Sequence, residues 1–315
     1  MQNPFAGGGI WLRTSGDEAL AGPISPENLA SCHPLWAADV ARLAPWREVE
    51  LGPQYGPAAG RWLAALGPGA AAANAVLLVG PCTSSLDVAW ELAGAGCLPP
   101  FASVVAVSQK QGRGQMRRNW ISPPGNLYAA LAWPGATGNL AAMAPVLVGA
   151  CLSAALYDRG FPSRVKWPND LLAGDRKIGG ILLEERAGRI MAGIGINFAS
   201  APDAALLRRD HAAPAASLQV FGEVPGAVTL WSELVKSGQT CYLQCVALSD
   251  TNAVSRFVEQ HLAWLGREVF VRESETDGFR ARIIGLAEDG GLRLRHIDTG
   301  PGQDLTLHSG SISLL

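Results

Sequence analysis

The chain predicts an α+β fold, a largely antiparallel sheet packed with helices and followed by a small all-β module. Three observations predict it. Apolar runs at 75–79, 103–108 and 126–133, the first and last of them closed by Gly-Pro or Pro-Gly pairs, read as buried strands. Helical spacing governs 141–156, where Val146, Leu147, Cys151 and Leu152 recur on one face, and residues 225–263 also read as helical. Beyond residue 264 the pattern changes to short strands at 269–271, 281–284, 292–296 and 305–307, separated by Gly/Asp turns such as Glu288-Asp289-Gly290-Gly291.

The elements follow in order. Residues 1–50 are weakly patterned and rich in turn signals, with Gly7-Gly8-Gly9, Gly22-Pro23 and Ser25-Pro26; only 36–43 suggests a helix, ending before Pro45. A short helix is expected at 61–66, stopped by Gly67-Pro68. Ser84-Ser85-Leu86-Asp87 opens a helix after the strand at 75–79, and Asp87 suits its first turn. Gly160 and Pro162 end the helix at 141–156. Strands are expected at 165–167 and 177–184 with a turn over 170–176 between them, and at 190–198 after a hairpin turn at Gly188-Arg189. The reading divides the chain into an extension or partial lobe at 1–74, a main domain at 75–264 and a β module at 265–315.

Composition limits the function. With 48% hydrophobic residues a sizeable core is available, and a net charge of −2 gives no global attraction to nucleic acid or anionic membrane. The first 109 residues hold no lysine and only Arg13, Arg42, Arg47 and Arg61 against eight acidic residues, a poor electrostatic footprint for DNA. The six cysteines are scattered, with no C-x-x-C pair and no clustered histidine, so zinc and iron–sulfur spacings are absent. No apolar stretch reaches the ~18–20 residues of a membrane span, and no leader is evident; a reduced, cytoplasmic protein is expected.

Two stretches carry chemistry. Gln109 to Trp120 sets Arg113, Arg117 and Arg118 among Gly112 and Gly114. Glycines there allow positive φ and close backbone approach, and guanidinium forks suit phosphate or carboxylate. The same stretch also reads as a solvated surface loop; it is neither a P-loop nor a dinucleotide fingerprint. Lys166-Trp167-Pro168-Asn169-Asp170 precedes Lys177-Ile178-Gly179-Gly180, placing a lysine on a glycine-opened strand, where a point charge can face an anion. Asn169 and Asp170 alone read equally as a turn and a helix cap. Ser84-Ser85 at a strand–helix junction reads as hydroxyl donors or as plain caps, and Asn197 as a ligand or a strand-end turn residue.

Taken together, Ser84-Ser85-Leu86-Asp87, Gln109, Gly112-Arg113-Gly114, Arg118, Trp120-Ile121-Ser122-Pro123, Gly125-Asn126-Leu127-Tyr128, Lys166-Trp167-Pro168-Asn169-Asp170, Lys177, Gly179-Gly180-Ile181-Leu182 and Gly195-Ile196-Asn197 resemble the biotin protein ligase family. They span about 75–200 in order. The resemblance implies a class II synthetase-like catalytic domain with a C-terminal SH3-like barrel. It implies an ATP-dependent enzyme that forms biotinyl-5′-AMP and transfers biotin to a lysine of a biotin carboxyl carrier domain. Biotin would be held by Ser84, Ser85, Leu86 through its amide, Gln109, Arg113, Gly114, Gln115, Lys177 and Gly180. ATP would meet Arg118, Trp120, Asn169, Asp170 and Asn197, with Mg²⁺ carried by the nucleotide; Lys177, Arg113 and Asp170 would do the chemistry. A homodimer is left open, and neither DNA nor membrane is expected as a partner.

Departures from the family pattern concern the loop. Gln115 stands where an arginine is common, Arg117 where a glycine is common and can restore the lost charge, and Leu86 replaces a polar asparagine. Three alternatives differ from this pattern in their residues. A lipoate or octanoate ligase would show Arg-Arg-x-x-Gly-Gly and a nearby histidine, whereas Arg117-Arg118 leads to Asn119-Trp120 and no histidine lies between His33 and His211. A biotin-responsive repressor would need an N-terminal winged helix and a basic face. A biotin-binding module without transfer would leave Lys177 and Asp170 without a task.

Overall fold

A computed structural model describes residues 3–115, 118–135, 139–203, 213–248, 250–272, 278–297 and 302–315. Along the chain come β1 (Ile10–Arg13), α1 (Pro26–Cys32), α2 (Pro34–Leu43), β2 (Trp46–Leu51), β3 (Gly60–Ala65), β4 (Val76–Val79), α3 (Ser85–Gly94), β5 (Ser103–Ala106), β6 (Gly112–Arg113), β7 (Asn119–Trp120) and β8 (Leu127–Trp133). They are followed by α4 (Asn139–Ala142), α5 (Ala144–Tyr157), β9 (Ser163–Lys166), β10 (Asp170–Ala173), β11 (Arg176–Arg186), β12 (Arg189–Ile196), α6 (Ala227–Ala247) and α7 (Thr251–Gln260). The C-terminal strands are β13 (Glu268–Arg272), β14 (Gly278–Leu286), β15 (Leu292–His296), β16 (Asp304–Leu307) and β17 (Ser311–Leu314). No helix among the described residues is long and apolar enough to cross a membrane.

Contacts divide the chain into two units. The first holds Met1–Gly135, Gly180–Ala201 and Ser217–Lys236; the second holds Ala136–Gly179, Pro202–Ala216 and Ser237–Leu315. In the first, strands run in the order β2-β3-β1-β4-β5-β8-β12-β11. The β1–β4 and β4–β5 pairs are parallel, while β2–β3, β1–β3, β5–β8 and β8–β12 are antiparallel. Helix α3 covers this sheet, packing Leu86, Val88, Ala89 and Leu92 against Leu77, Val79 and Val104. Strand β8 is buried throughout, and on β12 Gly193 and Gly195 leave room for neighbouring side chains to lie against the backbone.

Residues 1–74, expected as an extension or partial lobe, supply β1, β2 and β3 to this sheet. Segment 61–66, expected as a helix, is strand β3. Its alanines and leucine favour helix, but Trp62 and Ala64 are buried with more open neighbours, and pairing with β1 on one side and β2 on the other outweighs that propensity. Asp39 on α2 is fully buried and caps α6 within the same unit. Its carboxylate accepts from Val228 N at 2.8 Å, Thr229 N at 3.0 Å and Thr229 Oγ1 at 2.8 Å, satisfying amides that a helix start leaves without intrahelical partners.

In the second unit α5 lies against the β9–β10 hairpin, and Ser163 Oγ donates to Ser153 Oγ at 3.3 Å. The expected turn over 170–176 shortens to Gly174-Asp175, because Asp170 to Ala173 form a strand paired with β9. The expected helix at 141–156 is interrupted at Met143. The C-terminal strands form a five-stranded antiparallel sheet in the order β16-β15-β14-β13-β17, one strand more than the pattern suggested.

Candidate active site

In the first unit β4 runs into Gly80-Pro81, and α3 is capped by Ser84, whose Oγ accepts from Leu86 N at 3.3 Å. A parallel bridge between Cys82 and Gln109 brings Gln109 alongside that helix start. Gln109 Oε1 then accepts from Ser85 N at 2.8 Å, Ser85 Oγ at 3.1 Å and Ser84 Oγ at 3.3 Å. Its amide nitrogen donates to Ser122 Oγ at 3.0 Å, and Ser122 Oγ donates to the Trp120 carbonyl at 2.9 Å. Both serines are buried, so this neutral network is held in one arrangement by the helix start and the loop together. Leu86, where a polar residue was commoner, rests its side chain on Gly193, and a Cβ there would come within 2.7 Å of it.

The glycine–arginine stretch is a small hairpin rather than an irregular loop. Gly112 pairs with Trp120, Arg113 with Asn119, and Gly114 N donates to Arg118 O at 2.8 Å. Neither glycine has positive φ. Gly112 is needed for space instead, since an added Cβ would run into the Trp120 carbonyl, Ser122 Oγ and Gln109 Nε2. Trp120 lays its indole on Gly195, where a Cβ would meet the ring at 2.5–2.7 Å. Gln115 is exposed; Arg117, expected to restore the charge that Gln115 lacks, lies outside the described residues.

Arg113 is engaged by two carboxylates of its own unit: Nη1 meets Asp87 Oδ1 at 2.7 Å and Nη2 meets Glu184 Oε1 at 3.1 Å. Burial pulls the guanidinium down, but Asp87 and Glu184 outweigh it and hold it above its ordinary value. Glu184 Oε2 also accepts from Trp90 Nε1 and from Arg186 Nη2, both at 2.8 Å. Gly180, on β11, and Asn197, buried just beyond β12, belong to this unit, and the Asn197 carbonyl accepts from Leu218 N at 2.6 Å.

In the second unit the Trp167-Pro168-Asn169 turn folds β10 back on β9 so that Lys166 and Asp170 are register partners. Asp170 Oδ2 meets Lys166 Nζ at 3.1 Å and Oδ1 meets Lys177 Nζ at 2.5 Å. Burial pushes the Asp170 carboxyl up, but the two ammonium groups, Lys177 ahead of Lys166, prevail and hold it below the usual carboxylate range. Side-chain exposure rises from 9% at Lys166 to 17% at Asp170 and 29% at Lys177, so Lys177 is the one open to a ligand. Its backbone is fixed on both sides, donating to Pro214 O at 2.7 Å and accepting from Ala216 N at 2.8 Å. Trp167 anchors the turn from below, with Nε1 donating to Gly290 O at 3.0 Å, and Lys166 Nζ lies 5.8 Å from the centre of the Trp264 ring.

The structure thus gathers Ser84, Ser85 and Gln109 in one cluster and Asp170 and Lys177 in another. Strand β11 runs from Lys177 in the second unit to Gly180 in the first. Ser122, Glu184 and Lys166 had no assigned role in the sequence reading. The four-residue interval from Lys166 to Asp170 across Pro168-Asn169 is a hairpin signal that could have found one of them; Glu184 is revealed only by tertiary contact.

Fold and clusters together define a protein ligase of the biotin and lipoate class, and the profile of the Biotin/lipoate A/B protein ligase family matches residues 79–199. A biotin–[acetyl-CoA-carboxylase] ligase of Paracoccus denitrificans is 33% identical over 211 residues, 62% of this chain and 84% of that protein. The chain belongs to the biotin protein ligase family. The bifunctional ligase/repressor BirA of Escherichia coli is 41% identical over 103 residues, but these are 30% of this chain and only 32% of that protein. Among solved structures, the Aquifex aeolicus biotin protein ligase in complex with biotin and ATP shares the fold at TM-score 0.59 and 22% identity, covering 76% of this chain and 97% of that one. The Leishmania major enzyme in complex with biotinyl-5-AMP aligns at TM-score 0.51 and 26% identity, covering 73% and 98%.

Proposed function

We propose that the chain joins biotin to a lysine of a biotin carboxyl carrier domain at the expense of ATP. The observation that carries the reading is the Lys166–Asp170–Lys177 cluster, in which one carboxylate positions two lysines and Lys177 is the more exposed of them. In the first step the biotin carboxylate attacks the α-phosphorus of ATP, forming biotinyl-5′-AMP and expelling pyrophosphate. In the second the acceptor amine attacks the acyl carbon and AMP leaves. Bringing two anions together is the difficulty, and a preorganised ammonium such as Lys177 offsets it.

Ser84, Ser85 and Gln109 suit the neutral ureido group, which needs donors and acceptors but no charge. The Leu86 amide is already given to Ser84 Oγ, so the serine hydroxyls carry more of that recognition. Arg113, Gly114 and Gln115 would line the biotin ring beside Gly180. Arg118, Trp120, Asn169 and Asn197 would bind the nucleotide. Asp170 is best read as the residue that aims Lys177, since each of its oxygens already meets a lysine. Mg²⁺ would accordingly arrive as the counter-ion of ATP. The acidic balance of the first 109 residues supports a ligase without DNA binding.

The deciding experiment incubates the protein with ATP, Mg²⁺, biotin and a biotin-acceptor domain. A mass gain of one biotinyl group on a single acceptor lysine is expected, undiminished by excess octanoate. An unmodified acceptor that a control ligase does modify would refute the reading.

A further inference from the structure

Trp264, between α7 and β13 in the second unit, is seated in a way that packing alone does not require. Its φ of +62° lies in the left-handed region, which strains a bulky residue and persists only where the surroundings enforce it. Here they do. The residues before it run beside β9 as a further strand: Leu262 bridges Val165 in parallel, Val165 N donates to His261 O and Ala263 N donates to Val165 O, both at 2.8 Å. The indole is buried, and its Nε1 donates to Asp175 Oδ1 at 2.7 Å. Arg267, whose N donates to Trp264 O at 2.9 Å, brings Nη1 to both oxygens of the same carboxylate at 3.2 Å. Asp175 is exposed, and with Gly174 it forms the turn between β10, which carries Asp170, and β11, which carries Lys177. On the ring itself stands Lys166 Nζ, the other ammonium held by Asp170.

We propose that Trp264 is a positioning residue for Lys177, an inference that rests on the ligase reading. It acts by two routes, both inside the second unit. Through Asp175 it fixes the turn two residues before Lys177. Gly174, at φ +57° with no atom within 4 Å of where a Cβ would stand, gives that turn little stiffness of its own, so the indole N–H and the Arg267 guanidinium supply it from the segment leading into the C-terminal sheet. Through its π face the ring favours an ammonium at the Lys166 position, and Lys166 shares Asp170 with Lys177. Any apolar ring would fill the space. The N–H and the electron-rich face are what tryptophan adds, and each points to a partner of the reacting lysine.

The test is a double-mutant cycle on the full chain, read as biotin-dependent pyrophosphate release. Trp264→Leu should lower kcat roughly 10- to 100-fold, the scale of a slightly misplaced catalytic group, with KM for biotin unchanged. Trp264→Phe, which keeps the ring and loses the N–H, should recover part of that loss. In a Lys177→Ala background Trp264→Leu should cost nothing more, because a residue that acts through Lys177 has nothing left to position. Losses that multiply across the cycle overturn the proposal. Should Trp264→Leu fail to fold, Trp264→Phe and Asp175→Ala, the latter a change in an exposed turn, take its place in the same cycle. Hydrogen exchange over residues 171–177 reads the turn without any turnover, and it should quicken in Trp264→Phe and Asp175→Ala. A parent that releases no pyrophosphate refutes the ligase reading, and the role of Trp264 at Lys177 falls with it. Unchanged exchange in both variants, with the parent active, overturns the positioning role alone.

Discussion

In the first unit Gln109 gathers three donors with no formal charge among them, whereas in the second Asp170 gathers two ammonium groups. The neutral network is buried and fixed by a helix start, so its selectivity rests on hydrogen-bond geometry. The charged cluster leaves Lys177 the most exposed of its three side chains, so its strength rests on charge near the surface. Arg113, the prominent cation of the first unit, is already engaged by Asp87 and Glu184, the latter shared with Arg186. The contrast teaches that position in a motif does not reveal whether a basic residue is free to meet a ligand.

The largest effect is expected at Lys177. Lys177→Ala should lower biotin-dependent pyrophosphate release by roughly 10²–10³, the usual loss for one such electrostatic donor; near-normal release would remove Lys177 from the chemistry. Next comes Asp170→Asn, which leaves Lys166 and Lys177 without their carboxylate and should destabilise the fold at neutral pH by roughly 1–3 kcal/mol. The sign with pH follows from a folded value held below the unfolded one. The carboxylate's contribution is full above about pH 4, the ordinary range of an aspartate, and fades as pH falls through the lower folded value. Melting curves of the two proteins should converge on acidification, and a gap that stays constant would sink the charge argument.

Gln109→Ala orphans buried serine donors and should raise KM for biotin about tenfold while leaving kcat nearly intact. A fall in kcat at unchanged KM would instead place Gln109 in the reaction and blur the contrast. Glu184→Gln should matter least. Arg113 retains Asp87, and so open an ion pair is worth about 0.5 kcal/mol or less, to be read as a near-unchanged urea midpoint.

Much of the fold was legible because local signals and tertiary needs agreed. Apolar runs at β4, β5 and β8, the serine cap of α3 and the hairpin turn between β11 and β12, read at Gly188-Arg189 and found one residue earlier at Ala187-Gly188, each carry their own pattern. Where the two disagreed, the reading failed. Segment 60–65 has helix-favouring residues, and only its neighbours β1 and β2 make it a strand. Asp170 taken alone reads as a turn or cap residue, and the resemblance gives it a catalytic and nucleotide-binding role; its local structure is a strand, where register with Lys166 puts both lysines in reach. The site motif was readable as a set of residue types; which carboxylate holds which cation was not, since Arg113 and Glu184 are 71 residues apart.

Asp39 closes a loop of 189 residues when it accepts from Val228. On a ribosome the carboxylate emerges long before its amides, and the whole β9–β11 region is synthesised in between. Such a long closure is entropically slow to form. The first unit therefore reaches its final order only after Thr229 has cleared the exit tunnel, and a chain stalled short of that point would leave Asp39 without the donors that its burial requires.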